Sequence, residues 1–276
     1  MLNIHCIIGG LNMFKFLIFL VAITFSLCAQ ETLPFYKESD HFSLYCLEND
    51  QNASDEILNV LESNYPRIAA DFQDDLEGQV SIEIYPSIQE FHERMGRPNS
   101  GDWFVALANG KDVPHLKAGM YMVSLNNPGS VHNQNSMYLA AIHELTHFFI
   151  FKKAQSDLPL WMHEGIANYE AGKFGTKTAD YMTKSINRMA HVADTKGIPT
   201  LSMLSTLDSD VFCEIGGYSF SYTLIEFVVQ RWSFETLLKL IQRFDRFEEI
   251  LGVSQESFES DWKKFVTQRY LGPVRK

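Results

Sequence analysis

His143-Glu144-Leu145-Thr146-His147 is the stretch on which the reading of this chain turns. Residues 135–142 before it contain neither Pro nor Gly, and apolar residues continue through Ile150 and Phe151, so the pentad is expected on a helix. Two histidines four apart on a helix project from one face, about one turn from each other. Two imidazoles so placed can hold one tetrahedral Zn²⁺, and Glu144, one step round from His143, can reach a water there as general base. Taken alone, the pentad reads equally well as an amphipathic helix with two partly buried histidines.

A second stretch breaks the tie. Leu158-Pro159-Leu160-Trp161-Met162-His163-Glu164-Gly165-Ile166-Ala167-Asn168-Tyr169-Glu170 follows a short polar segment, residues 152–157. Pro159 is expected to end or bar the first helix, with a second starting at about Trp161. A short connection makes the two helices antiparallel neighbours. Glu164 lies sixteen intervening residues past His147, enough to finish one helix, turn and return to the level of the histidines. A carboxylate there completes a His₂Glu site whose fourth position stays open. Gly165 is expected to leave room where the second helix crosses the first. His163 should point away from Glu164 on a helix, and reads as a surface or supporting residue rather than a ligand.

These two stretches together resemble the gluzincin metallopeptidases, in particular the small bacterial group called peptidase MA-like. Its second motif runs roughly Pro-x-Trp-x-x-Glu-Gly-hydrophobic-Ala-x-Tyr. The resemblance implies Zn²⁺ held by His143, His147 and Glu164, Glu144 as general base, and hydrolysis of a peptide or protein substrate. The fold it implies is α+β and zincin-like, with a small mixed β-sheet lobe packed on a helical lobe and the zinc cleft between them. Weaker features extend the likeness to residues 40–266. One position departs from the pattern. Many gluzincins carry an acidic residue four positions after the glutamate ligand to orient a histidine, and here Asn168 stands there. An amide oxygen accepts that hydrogen bond without charge, so a weaker site is expected, or a substitute carboxylate in Glu170 or Asp157.

The resemblance also reaches Gly216-Gly217-Tyr218, a helix opening after a glycine pair. Tyr218 takes the place of a tyrosine whose phenol stabilises the oxyanion of a tetrahedral intermediate. The competing reading is an aromatic core residue, and Tyr222, one turn on, is the substitute candidate. Residues 119–125 form a strand some eighteen residues before the pentad, where zincins expose a sheet edge that holds extended peptide. The aminopeptidase motif Gly-Ala-Met-Glu-Asn is absent from that strand, which favours internal cleavage. The rival from another class is a catalytically silent gluzincin-like secreted binding protein.

Hydrophobic residues make up 46% of the 276, and 21 are Phe, ample for a large core. Residues 16–27 form an apolar run after Lys15 and before Ser26-Leu27-Cys28-Ala29, the pattern of an export signal over residues 1–29 with Met13 as an alternative start. An uncleaved anchor or a lipid at Cys28 is the other outcome. The mature chain is expected to be periplasmic or secreted, monomeric and without a membrane span. Its organisation is read as an N-terminal α/β lobe over residues 30–130 and a helical zinc-binding lobe over 131–276. A formal net charge of −11 argues against nucleic acid as a partner. Cys46 and Cys213 remain after cleavage and read either as one disulfide or as two buried thiols.

Period-two alternation marks strands at residues 41–47 and 80–85, and further strand candidates lie at 102–110 and 119–125. A helix with Ile57, Leu58, Leu61, Tyr65, Ile68 and Phe72 on one stripe starts near Ser54, and Ser87 caps a short helix through Met95. From Tyr218 the chain reads as helical, with aromatic stripes that are core. Residues 96–118 carry no readable specificity code.

Overall fold

Alternation along the first long strand sets one face of the sheet. Phe42, Leu44 and Cys46 are buried while Ser43 and Tyr45 between them are half-buried, the period expected of a pleated strand. The computed structural model describes residues 33–174, 178–206 and 208–272. Residues 1–29, where an export signal is expected, lie outside these, and with them Cys6 and Cys28. In chain order the elements are β1 (Phe35–Glu38), β2 (Phe42–Cys46), α1 (Gln51–Phe72), β3 (Val80–Tyr85), α2 (Ile88–Arg94), β4 (Ala106–Asn109), β5 (Gly119–Val123), α3 (Gln134–Lys153) and α4 (Leu160–Ala171). After these come α5 (Thr178–Lys196), α6 (Ser209–Glu214), α7 (Gly217–Arg231), α8 (Phe234–Gln242), α9 (Phe247–Leu251) and α10 (Gln255–Val266). The class is α+β, with a five-stranded mixed sheet.

Strand order is β1-β2-β3-β5-β4. Strands β2, β3 and β5 run parallel, and β1 and β4 close the two sides antiparallel. This corrects the expectation of an exposed edge at residues 119–125. Strand β5 is hydrogen-bonded on both sides and all five of its residues are buried, so the edge beside the helices is β4. The reason is visible in Gly-Met-Tyr-Met-Val, a continuous apolar run rather than an alternating one, the mark of an interior strand.

One hydrophobic core joins sheet and helices, from Phe42 and Ile82 through Phe149 and Trp161 to Trp262. Helix α1 continues through Pro66 and packs against α3. Helix α3 is held at its start by a reciprocal cap: Asn133 Oδ1 accepts from Ser136 N at 3.0 Å, and Ser136 Oγ accepts from Asn133 N at 2.9 Å. Ala154 turns to extended backbone and ends α3 before Pro159, which instead sits at the N-cap of α4. No helix among the described residues is long and apolar enough to cross a membrane.

Candidate metal centre and its cavity

Three contacts fix how the two motif helices meet. His143 lies beside Asn168, His147 faces Glu164, and Phe151 sits 6.0 Å from the His163 ring. Rising numbers on α3 thus match falling numbers on α4, the antiparallel arrangement expected from the short connection. Glu164 faces α3, so Gly165, a hundred degrees further round, faces elsewhere. A Cβ at Gly165 would stand 2.5 Å from the Ser221 carbonyl oxygen and 2.8 Å from Ile225 Cγ1. The close crossing that needs glycine is therefore between α4 and α7, not between α4 and α3.

His143, His147 and Glu164 offer donor atoms that all lie within 4.8 Å of one another. His143 Nε2 is 3.1 Å from His147 Nε2 and 3.1 Å from Glu164 Oε2, and His147 Nε2 is 3.9 Å from Glu164 Oε1. Ligands about 2.0–2.1 Å from a tetrahedral ion sit about 3.3 Å apart, so these separations suit one small cation without rearrangement. The donor set, two imidazoles and a carboxylate, could hold a metal ion.

Asn168 bonds His143 through its side-chain oxygen. The His143 Nδ1–H donates to Asn168 Oδ1 at 3.1 Å, so Nε2 is the ring nitrogen turned toward His147 and Glu164. The Asn168 amide in turn donates to the Tyr218 carbonyl at 3.3 Å. Among the described residues, neither Glu170 nor Asp157 takes that place. Glu170, fully buried, is held by Arg67 and by Lys173 at 2.6 Å, and Asp157 is exposed. His147 Nδ1 is buried without a hydrogen-bond partner among the described residues.

Burial and mutual contact shift the titration of each group in the cluster. Burial disfavours the His143 imidazolium, but Glu164 and Glu144 nearby favour it and hold its pKa above the ordinary value. Burial pushes His147 down to about 3. Glu164 resists burial through the His143 hydrogen bond and the other histidines, and its pKa falls. Burial also lifts Glu144 to about 7, against the pull of His143. Its Oε2 accepts from the Ala108 N–H at 2.6 Å, which points the carboxylate at the outer edge of β4.

These groups line one cavity of about 550 Å³, bounded by α3, α4, β4 and the start of α7. Val105 gives its carbonyl to Val123 in β5, so by alternation the N–H and C=O of Ala106 point away from the sheet, on the side where Ala108 meets Glu144. Tyr218 is on the cavity wall, edge-on to Phe212 at 5.1 Å. Burial drives its phenol far above the usual pKa, and the carboxylates of Glu164 and Glu144 push the same way while Arg97 opposes them. Tyr222 instead packs on Tyr169 at 5.8 Å. His163 also lines the cavity, with its ring 6.2 Å from His147, and stands outside the group that could hold a metal. Cys46 lies in the core and Cys213 on the cavity wall, both as free thiols.

Among the cavity residues that escaped the sequence reading are the titratable Arg97, Asp112 and His132. Arg97 lies between α2 and β4 and Asp112 between β4 and β5, in irregular backbone with no period to read. A search of protein-family models with this chain finds no match, and neither does a search of curated proteins.

Proposed function

We propose that this chain is a zinc-dependent peptidase of the zincin type, cleaving peptide bonds internally. The observation that carries the reading is the convergence of His143, His147 and Glu164 in one cavity that also holds the buried carboxylate of Glu144. Zn²⁺ bound by those three side chains would polarise the scissile carbonyl and make a nearby water more acidic. Glu144 accepts the proton of the attacking water at its carboxylate and delivers it to the departing amine. Asn168 holds His143 in the tautomer that leaves Nε2 free for the ion. Tyr218 donates its phenol hydrogen to the oxygen that gains charge in the transition state. An extended peptide adds to the outer edge of β4, with its backbone paired to the N–H and C=O of Ala106.

A second reading is a silent binding protein with the same centre. One observation favours it: Glu144 is already engaged by a backbone donor of the strand a substrate would use. Digestion of a peptide library by purified protein, with and without a chelator, separates the two. Cleavage that stops with chelator and with Glu144→Gln supports the peptidase. Zinc binding with no cleavage of any library member removes it.

A further inference from the structure

We infer that Arg97 is a specificity residue of this cavity, binding a carboxylate of the substrate, either an acidic side chain or a free C-terminus. The inference rests on the peptidase reading and names the class of substrate it acts on. In a chain with 34 acidic against 23 basic side chains, arginines find carboxylates easily. Arg67, Arg231, Arg243, Arg246 and Arg269 each hold one. Arg188 donates to the Cys213 carbonyl, and Arg97, which lines the cavity, meets Ser209 and the Phe104 ring rather than a carboxylate among the described residues. An unpaired cation at a cleft is where a substrate anion is drawn.

The side chain is nonetheless held in place. Arg97 N donates to the His92 carbonyl at 2.8 Å, and its own carbonyl accepts from Ser100 N at 3.0 Å. The guanidinium lies over the Phe104 ring at 5.3 Å, and one Nη2–H donates to Ser209 Oγ at 3.2 Å. Ser209 takes one of the five N–H groups a guanidinium carries, and a carboxylate accepts two from one fork. An arm fixed in advance loses less entropy on binding.

Its place along the cleft gives the charge a direction. Phe104 leads into β4, while Asp112 follows β4 and lines the same cavity. A peptide laid along the β4 edge therefore meets a cation at one end and an anion at the other. The acceptor for the Arg97 fork is a substrate group one or more residues from the reacting bond.

The test is calorimetric binding of short blocked peptides to the zinc-loaded Glu144→Gln protein, so that no probe is consumed. Two pairs are compared: acetyl-tetraalanine acid with its amide, and an acetylated tetraalanine amide carrying Glu with the same peptide carrying Gln. The carboxylate member of at least one pair should bind roughly 10-fold to 100-fold more tightly, as one charge-assisted hydrogen-bonded pair implies. Which pair responds identifies the source of the carboxylate. Arg97→Gln should erase the preference, and Arg97→Glu should turn it toward a Lys-bearing probe. Equal affinities within both pairs, no binding of any probe, or a preference that survives Arg97→Gln would overturn the inference. Cleavage by the wild-type protein is read separately. A carboxylate preference without cleavage defeats the peptidase reading and leaves the Arg97 site standing.

Discussion

His143 and Asn168 are joined Nδ1 to Oδ1 at 3.1 Å, and the same amide reaches the Tyr218 carbonyl at 3.3 Å. One neutral side chain thus ties a histidine of the candidate metal centre to the start of the helix that carries the phenol. The orientation usually supplied by a carboxylate is present here without its charge.

Removing that amide should therefore weaken metal binding without abolishing it. Asn168→Ala is expected to lower zinc affinity about 10-fold to 100-fold, and Asn168→Asp to raise it, because a charged acceptor makes the imidazole a stronger ligand. Competition with a chromogenic chelator reads both. Equal affinity in Asn168→Ala and wild type would show that His143 needs no such partner.

Gly165→Ala tests the crossing of α4 and α7. The added Cβ meets the Ser221 carbonyl oxygen at 2.5 Å, and backbone cannot step aside as a side-chain end can. The variant should lose about 1–3 kcal/mol of stability, seen as a fall of several degrees in Tm. An unchanged melting curve would mean that the helices separate at no cost.

Both motif helices were legible in the sequence because the residues that make the chemistry also make the helices. The Asn133 to Lys153 stretch lacks Gly and Pro, and Pro159 marks the N-terminus of α4. Strand order was not legible. Residues 119–125 read as a strand, but only the pairing with β3 and β4 reveals that it is interior and that Ala106 and Ala108 form the edge. Strand β1 escaped because four residues with a register shift at Phe35 show too little alternation. The neighbour of Gly165 was misplaced for a related reason. A glycine announces a close approach without naming what approaches, and here that is α7.

Glu144→Gln keeps the size of the side chain and an acceptor for Ala108 N–H, but takes no proton. Zinc content should stay at the wild-type level while peptide hydrolysis falls by a factor of order 10² or more. Equal turnover in variant and wild type would remove Glu144 as the base.

Tyr218→Phe loses one hydroxyl and no packing against Phe212. It should lower kcat about 10-fold to 10³-fold with little change in KM, because the lost bond forms mainly in the transition state. Tyr222→Phe, whose ring packs on Tyr169, should leave turnover unchanged. Wild-type kcat in Tyr218→Phe would leave that residue as cavity wall alone.

The metal content of the purified protein tests the central claim most directly. Elemental analysis after dialysis should find about one zinc per chain, lost in His143→Ala, His147→Ala and Glu164→Ala but kept in His163→Ala, with circular dichroism confirming that each variant is folded. A wild-type protein that holds no zinc, or ligand variants that keep all of it, would contradict the account.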